Sequence, residues 1–123
     1  NIPLVYENDI VKKGLELMCQ LNLGIVCIIS KNLDLMGVFT DGDIRRTLLT
    51  TQKPLSALFV DDILDYAVRS PIFVSNASKL VDAVNIMEKN QIWDLPVLNR
   101  ENKLLGLLHL HPALKKLINS CSS

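Results

Sequence analysis

The residues best equipped for chemistry stand together in Gly37-Val38-Phe39-Thr40-Asp41-Gly42-Asp43-Ile44-Arg45-Arg46. An apolar strand pattern ends there, and a helix pattern begins across a polar corner. A helix N-terminus offers unpaired N–H groups and partial positive charge, a natural cradle for phosphate. Gly42 lets a ligand approach the backbone closely. Thr40 brings a hydroxyl, and Asp43 a carboxylate able to accept both hydroxyls of a ribose. Arg45 and Arg46 add charge for a phosphate or a sugar acid. The same residues also have a plain structural use. Thr40 or Asp41 caps a helix, Asp43 suits the first-turn dipole, and the arginines make a solvated face.

Other chemistry is scarce. No nucleophile–His–carboxylate arrangement is singled out by spacing, and His109 and His111 do not make a zinc motif, so neither catalytic nor metal-ligating residues are assigned. The three cysteines, Cys19, Cys27 and Cys121, lack metal-like spacing; Cys27 lies in an apolar strand pattern, and a reduced, cytoplasmic setting fits. Of the 123 residues 49% are apolar, 21% charged and 5% aromatic, with no net charge. That composition is globular and argues against a nucleic-acid face. Apolar runs such as Leu23 to Ile29 are too short to span a membrane. Asn1 leads straight into an apolar strand with no starting methionine, which reads as a piece of a longer protein.

The elements that position the corner come in two copies. Gly37 and Gly106, Met18 and Met87, and Val5 and Val74 each stand 69 positions apart, and the register runs ungapped from Pro3/Ile72 to Leu49/Ile118. Two such units, each too small for a good core alone, are expected to stack about a pseudo-two-fold axis with a cleft between them. The first copy predicts strand 2–5, a helix with apolar stripe Val11, Leu15, Met18 and Leu21, strands 23–30 and 35–40 joined as an antiparallel hairpin, and a helix over 42–51. Asp9 and its counterpart Ser78 are the expected N-caps. The second copy predicts strand 72–75, helix 79–90, strands 94–98 and 104–109, and a helix from Pro112. Pro96 in a strand implies an edge, or backbone opened toward a ligand. Trp93, opposite Gly24 in the register, lines the second cleft or packs in the core, and the core is the expectation. Boundaries follow: first repeat 1–51, a packed connector 52–70 with one short helix including Leu58, Ile63, Leu64 and Ala67, second repeat 71–119, and a tail 120–123. The fold class is α+β, as tandem βαββα repeats.

This pair, with its hydrophobic-Gly-hydrophobic-hydrophobic-Thr-x-x-Asp segment, resembles a CBS domain pair, or Bateman module, over essentially the whole chain. Ile2-Pro3-Leu4-Val5, the segment Gly37 to Arg46, and Leu105-Gly106-Leu107-Leu108-His109-Leu110-His111 are most similar to the C-terminal CBS pair of bacterial arabinose-5-phosphate isomerases. The Thr-Asp-Gly-Asp-Ile-Arg-Arg stretch is shared with CBS pairs of sugar-phosphate nucleotidyltransferases. The resemblance implies an upstream sugar-isomerase (SIS) domain and a role in supplying the precursor of Kdo, an acidic sugar of the lipopolysaccharide envelope. It implies that Thr40 and Asp43 contact ribose and phosphate, with a base packed on Gly24, Ile25 and Val26. In the second copy His109 takes the threonine place and Pro112 the aspartate place, which removes the carboxylate; His109 and His111 remain candidate ligand contacts. The implied function is regulatory and not catalytic. No cofactor is expected beyond an effector such as CMP-Kdo, AMP or ATP, and the resemblance implies a second copy as partner: homodimerisation through the helices after Asp43 and Pro112. The competing expectation is a ligand-free dimerisation scaffold.

Overall fold

The computed structural model describes residues 2–110. The helix expected from Pro112, the tail, His111 and Cys121 lie outside the described residues. Two units emerge, with a boundary between Pro71 and Ile72.

In the first unit β1 (Leu4–Tyr6), α1 (Val11–Leu21), β2 (Ile25–Ile29), β3 (Leu35–Thr40) and α2 (Asp41–Thr50) follow in order. The sheet runs β1-β2-β3, parallel then antiparallel. Every residue of β2 is buried, as its unbroken apolar run demands of a central strand. Val5, Val26, Ile28 and Phe39 share one core cluster with Val11 and Met18 of α1 and with Ile63.

The caps differ from expectation. Ile10, not Asp9, is the N-cap of α1, and no side chain caps it. Asp9 instead accepts the Tyr6 N–H at 2.7 Å and pairs with Lys13, because its own backbone is committed to the turn before the helix. The connector caps α1 in its place: the Val11 N–H donates to the Asp61 carbonyl and the Ile63 N–H to the Asp9 carbonyl, both at 2.9 Å. The connector holds two short pieces where one was expected, α3 (Leu55–Phe59) and a 3₁₀ turn at Ile63–Tyr66. Its far end bridges β3, with Val38 and Val68 exchanging N–H···O bonds of 3.0 and 2.9 Å. Asp61 fastens this strap, accepting from Lys53 Nζ at 2.6 Å and from the Tyr66 hydroxyl. Those hydrogen bonds, Lys53 first, hold the Asp61 carboxyl below its ordinary value. The bond to Asp61 raises the pKa of Lys53 and of Tyr66 in turn.

The second unit repeats the plan with β4 (Val74–Ser75), α4 (Leu80–Asn90), β5 (Asp94–Leu98) and β6 (Leu104–His109). Here Lys79 rather than Ser78 is the N-cap, again without a side-chain bond. Even the irregularities repeat at a spacing of 69: register shifts at Ile28/Ile29 and Val97/Leu98, and left-handed residues Asn22/Gln91 and Leu33/Asn102. Both hairpin loops are closed by one side-chain oxygen taking two backbone N–H groups, Ser30 Oγ in the first and Asn99 Oδ1 in the second. Pro96 is not on an edge; β5 is the central strand. It stands where Cys27 stands in the first unit, and the Cys27 N–H donates to the Pro3 carbonyl at 2.7 Å. Proline has no such donor, and β4 is correspondingly two residues long against three in β1.

Candidate functional site

β3 ends and α2 begins at Thr40, whose extended backbone and hydroxyl make it the N-cap. Thr40 Oγ1 accepts the Asp43 N–H at 3.3 Å, and Asp43 Oδ2 accepts the Thr40 N–H at 2.9 Å and the Thr40 hydroxyl at 3.0 Å. This is a closed capping box, with aspartate where glutamate is commoner. The other oxygen, Oδ1, takes Arg46 Nη1 at 3.1 Å. Asp43 is consequently only 4% exposed, while the Arg46 side chain covering it is 63% exposed.

The geometry narrows the anion cradle. Of the first N–H groups of α2, that of Asp41 donates to the Gly24 carbonyl at 3.0 Å and that of Asp43 to Thr40, leaving Gly42 as the N–H with no partner among the described residues. Gly24 does belong at the corner. A Cβ there would lie 2.6 Å from Asp41 Oδ2, so the Asp41 carboxylate would have to turn away to admit a larger residue. Ile25 sits across from Thr40 in the ladder, yet is 4% exposed, and Val26 is fully enclosed in the core cluster. Burial turns the Ile25 and Val26 side chains into the protein, and Gly24 reaches the corner through the bond its carbonyl accepts from the Asp41 N–H. Arg45 is exposed, and Arg46, one residue on, is the arginine that engages the carboxylate. The 43-to-46 spacing, three residues along a helix, was a legible sign of that pairing.

The second unit builds a different corner from the same register. The Leu110 N–H donates to the Trp93 carbonyl at 2.7 Å, as Asp41 does to Gly24. His109 occupies the place of Thr40 and Asp94 that of Ile25, and His109 Nδ1 lies 2.6 Å from Asp94 Oδ1. When the imidazole is neutral, the carboxylate holds the proton on Nδ1 and leaves Nε2 an acceptor. Asp94 was missed as a site residue, although shifting the Ile25–Thr40 pair by 69 finds it. Elsewhere in the first unit a cavity of about 200 Å³ opens among Val11, Leu15, Phe39, Ile44, Leu55 and Phe59. Its apolar lining offers nothing to a nucleotide phosphate.

Residues 60–111 match the family model described as CBS domain. An uncharacterised protein of Chlamydia pneumoniae is 33% identical over 117 residues, which is 93% of this chain and 35% of that protein. Arabinose 5-phosphate isomerase KdsD of Yersinia pestis is 31% identical over 119 residues, covering 93% of this chain and 33% of the enzyme. The chain spans about a third of the length of the curated relatives it matches. Among solved structures, CBSX2 in complex with AMP superimposes with a TM-score of 0.76 at 25% identity, over 97% of this chain and 89% of that one. No helix among the described residues is long and apolar enough to cross a membrane.

Proposed function

We propose that this chain, a CBS domain pair, is a regulatory module whose first repeat takes a nucleotide or nucleotide-sugar at the Thr40–Asp43 corner and reports occupancy to an attached sugar-phosphate isomerase. The observation that carries the reading is a nearly buried carboxylate at a helix N-terminus, closed by one exposed guanidinium. The bond to Oδ1 comes from a guanidinium that is itself exposed, so another donor can take its place without leaving the carboxylate bare. A ribose hydroxyl can therefore replace Arg46 on Asp43 Oδ1, freeing the guanidinium for the ligand's phosphate. The Gly42 N–H lies on the same turn and supplies a further donor. Asp41, beside Gly24, flanks the entrance and disfavours additional negative charge there.

The isomerase setting rests on the similarity to arabinose 5-phosphate isomerase, and the isomerisation itself belongs to residues outside this chain. In that setting CMP-Kdo is the feedback effector to try, and AMP, present in the CBSX2 complex, the generic one. Regulation needs the ligand to favour one arrangement of the parent by ~1–3 kcal/mol.

One observation favours a second reading. The corner is already satisfied internally, and α2 exposes Leu48 and Leu49, the latter at 82%, which suits a dimerisation scaffold with no ligand. Thermal melts with AMP, ATP and CMP-Kdo separate the two. A ligand at 100 times its Kd adds ~2.7 kcal/mol, several degrees in Tm for a domain of this size. Loss of the shift in Asp43→Asn, which keeps a side-chain oxygen for the cap, and its retention in His109→Ala put the ligand at the first corner. No shift with any of the three, in a protein that elutes as a dimer, leaves the scaffold.

A further inference from the structure

The first corner carries charges that cancel. Between Thr40 and Arg46 stand Asp41, Asp43, Arg45 and Arg46, with no net charge. The stretch that leads into β2 through Gly24, residues 20–26, has no charged side chain. The two carboxylates play different parts. Asp43 is buried under Arg46, whereas Asp41 is exposed on the first turn of α2. Backbone and side chain both fix Asp41 at the entrance. Its N–H donates to the Gly24 carbonyl at 3.0 Å, and its Oδ2 lies against Gly24, 2.6 Å from where a Cβ would stand. Gly42, which holds the N–H without a partner among the described residues, comes next in the chain. Arg46 follows about one helical turn later. A phosphate on that N–H is therefore met by one guanidinium and crowded by one carboxylate.

We propose, resting on the reading that this corner takes a nucleotide, that Asp41 is a specificity-determining residue. It admits ligands with one phosphorus, a nucleoside monophosphate or its sugar diester, and turns away di- and triphosphates. A diester carries a single negative charge and a monoester about −1.5 to −2. Arg46, released from Asp43, answers a charge of that size. Each further phosphoryl group brings charge that the corner has no cation left to meet, because Arg45 only offsets Asp41. Like charges 4 Å apart weaken binding by about fivefold at the dielectric of water, and by more where the ligand excludes water. The Gly24 side brings no cation to relieve this.

Calorimetric titrations of the protein with AMP, ADP and ATP, free of divalent cations and at one low ionic strength, test this. AMP should bind about tenfold or more tighter than ATP, with ADP between them. Asp41→Asn should narrow the AMP-to-ATP ratio to within about threefold, while Asp41→Glu, which keeps the charge, preserves it. Melting of both variants without ligand checks that the exposed position tolerates the change. ATP binding as tightly as AMP overturns the proposal, as does a ratio that Asp41→Asn leaves unchanged. In either case the reading of the corner still stands if Asp43→Asn abolishes the heat. No heat with any of these nucleotides or with CMP-Kdo, or heat that survives Asp43→Asn, overturns that reading and the role of Asp41 with it.

Discussion

Gly14→Ala measures how tightly the connector is locked onto α1. The position is mid-helix, where alanine is favoured over glycine by about 1 kcal/mol. The added Cβ would sit 2.3 Å from Ile63 Cδ1 and 3.5 Å from Val26 Cγ2, and both residues are fully buried. Ile63 must shift to admit the methyl, so overpacking costs about 1–3 kcal/mol and outweighs or cancels the helix gain. Ile63→Val deletes the offending methyl and by itself costs about 0.5–1.5 kcal/mol. In the double variant the clash is gone, the helix gain remains, and stability returns to within about 1 kcal/mol of the parent chain. The coupling between the two changes should be about 1–3 kcal/mol in favour of the pair. Urea unfolding of the four proteins at constant m gives all the terms. If the effects add to within about 0.5 kcal/mol, the connector is not seated on Gly14 as described.

Four further outcomes are expected. Hydrogen bonds from Lys53 and then Tyr66 hold the Asp61 carboxyl below the ordinary carboxylate value in the folded chain. Its contribution is full above the unfolded value and is lost as pH falls through the folded one; denaturation midpoints of the parent and Asp61→Asn should therefore converge in acid and stay apart at neutral pH. Ser30→Ala and Asn99→Ala each strip a loop of the oxygen that takes two N–H groups, and each should cost about 0.5–1.5 kcal/mol by urea unfolding; a large disparity would contradict the equivalence of the loops. Gln91→Gly relieves a left-handed residue at φ 54°. It should stabilise by roughly 0.5–1 kcal/mol, glycine's greater freedom in the unfolded chain offsetting part of the gain. Arg46→Ala should lower stability by about 1–3 kcal/mol, because it strips one oxygen of a nearly buried carboxylate of its partner, while weakening the response to a phosphate-bearing ligand in the melting assay.

The strands with clean boundaries, 35–40, 94–98 and 104–109, were legible because alternating or unbroken apolar runs end at polar turns. The 69-residue register was legible for the same reason, since core positions must recur if the unit does. The N-caps were not. Asp9 and Ser78 are good capping residues, but the connector's backbone occupies the α1 terminus, and a strap from elsewhere in the chain leaves no local pattern. Pro96 misled because its missing donor weakens the ladder with β4 rather than placing β5 at an edge. At the corner, Thr40, Asp41, Gly42 and Asp43 were found as a group, and the capping alternative was visible in the same letters. The Arg46 cover and the Asp94–His109 pair needed geometry, one along a helix turn and one across a ladder. Ile25 and Val26 carry the apolar character a base would like, and that same character buries them.

The chain has a single tryptophan, and it stands immediately before β5, with its carbonyl holding Leu110. Indole emission therefore originates in only one of the two homologous halves, while the amide ellipticity of helices comes from both. An optical titration followed at two wavelengths can tell which half loosens first, with no label attached and no residue changed.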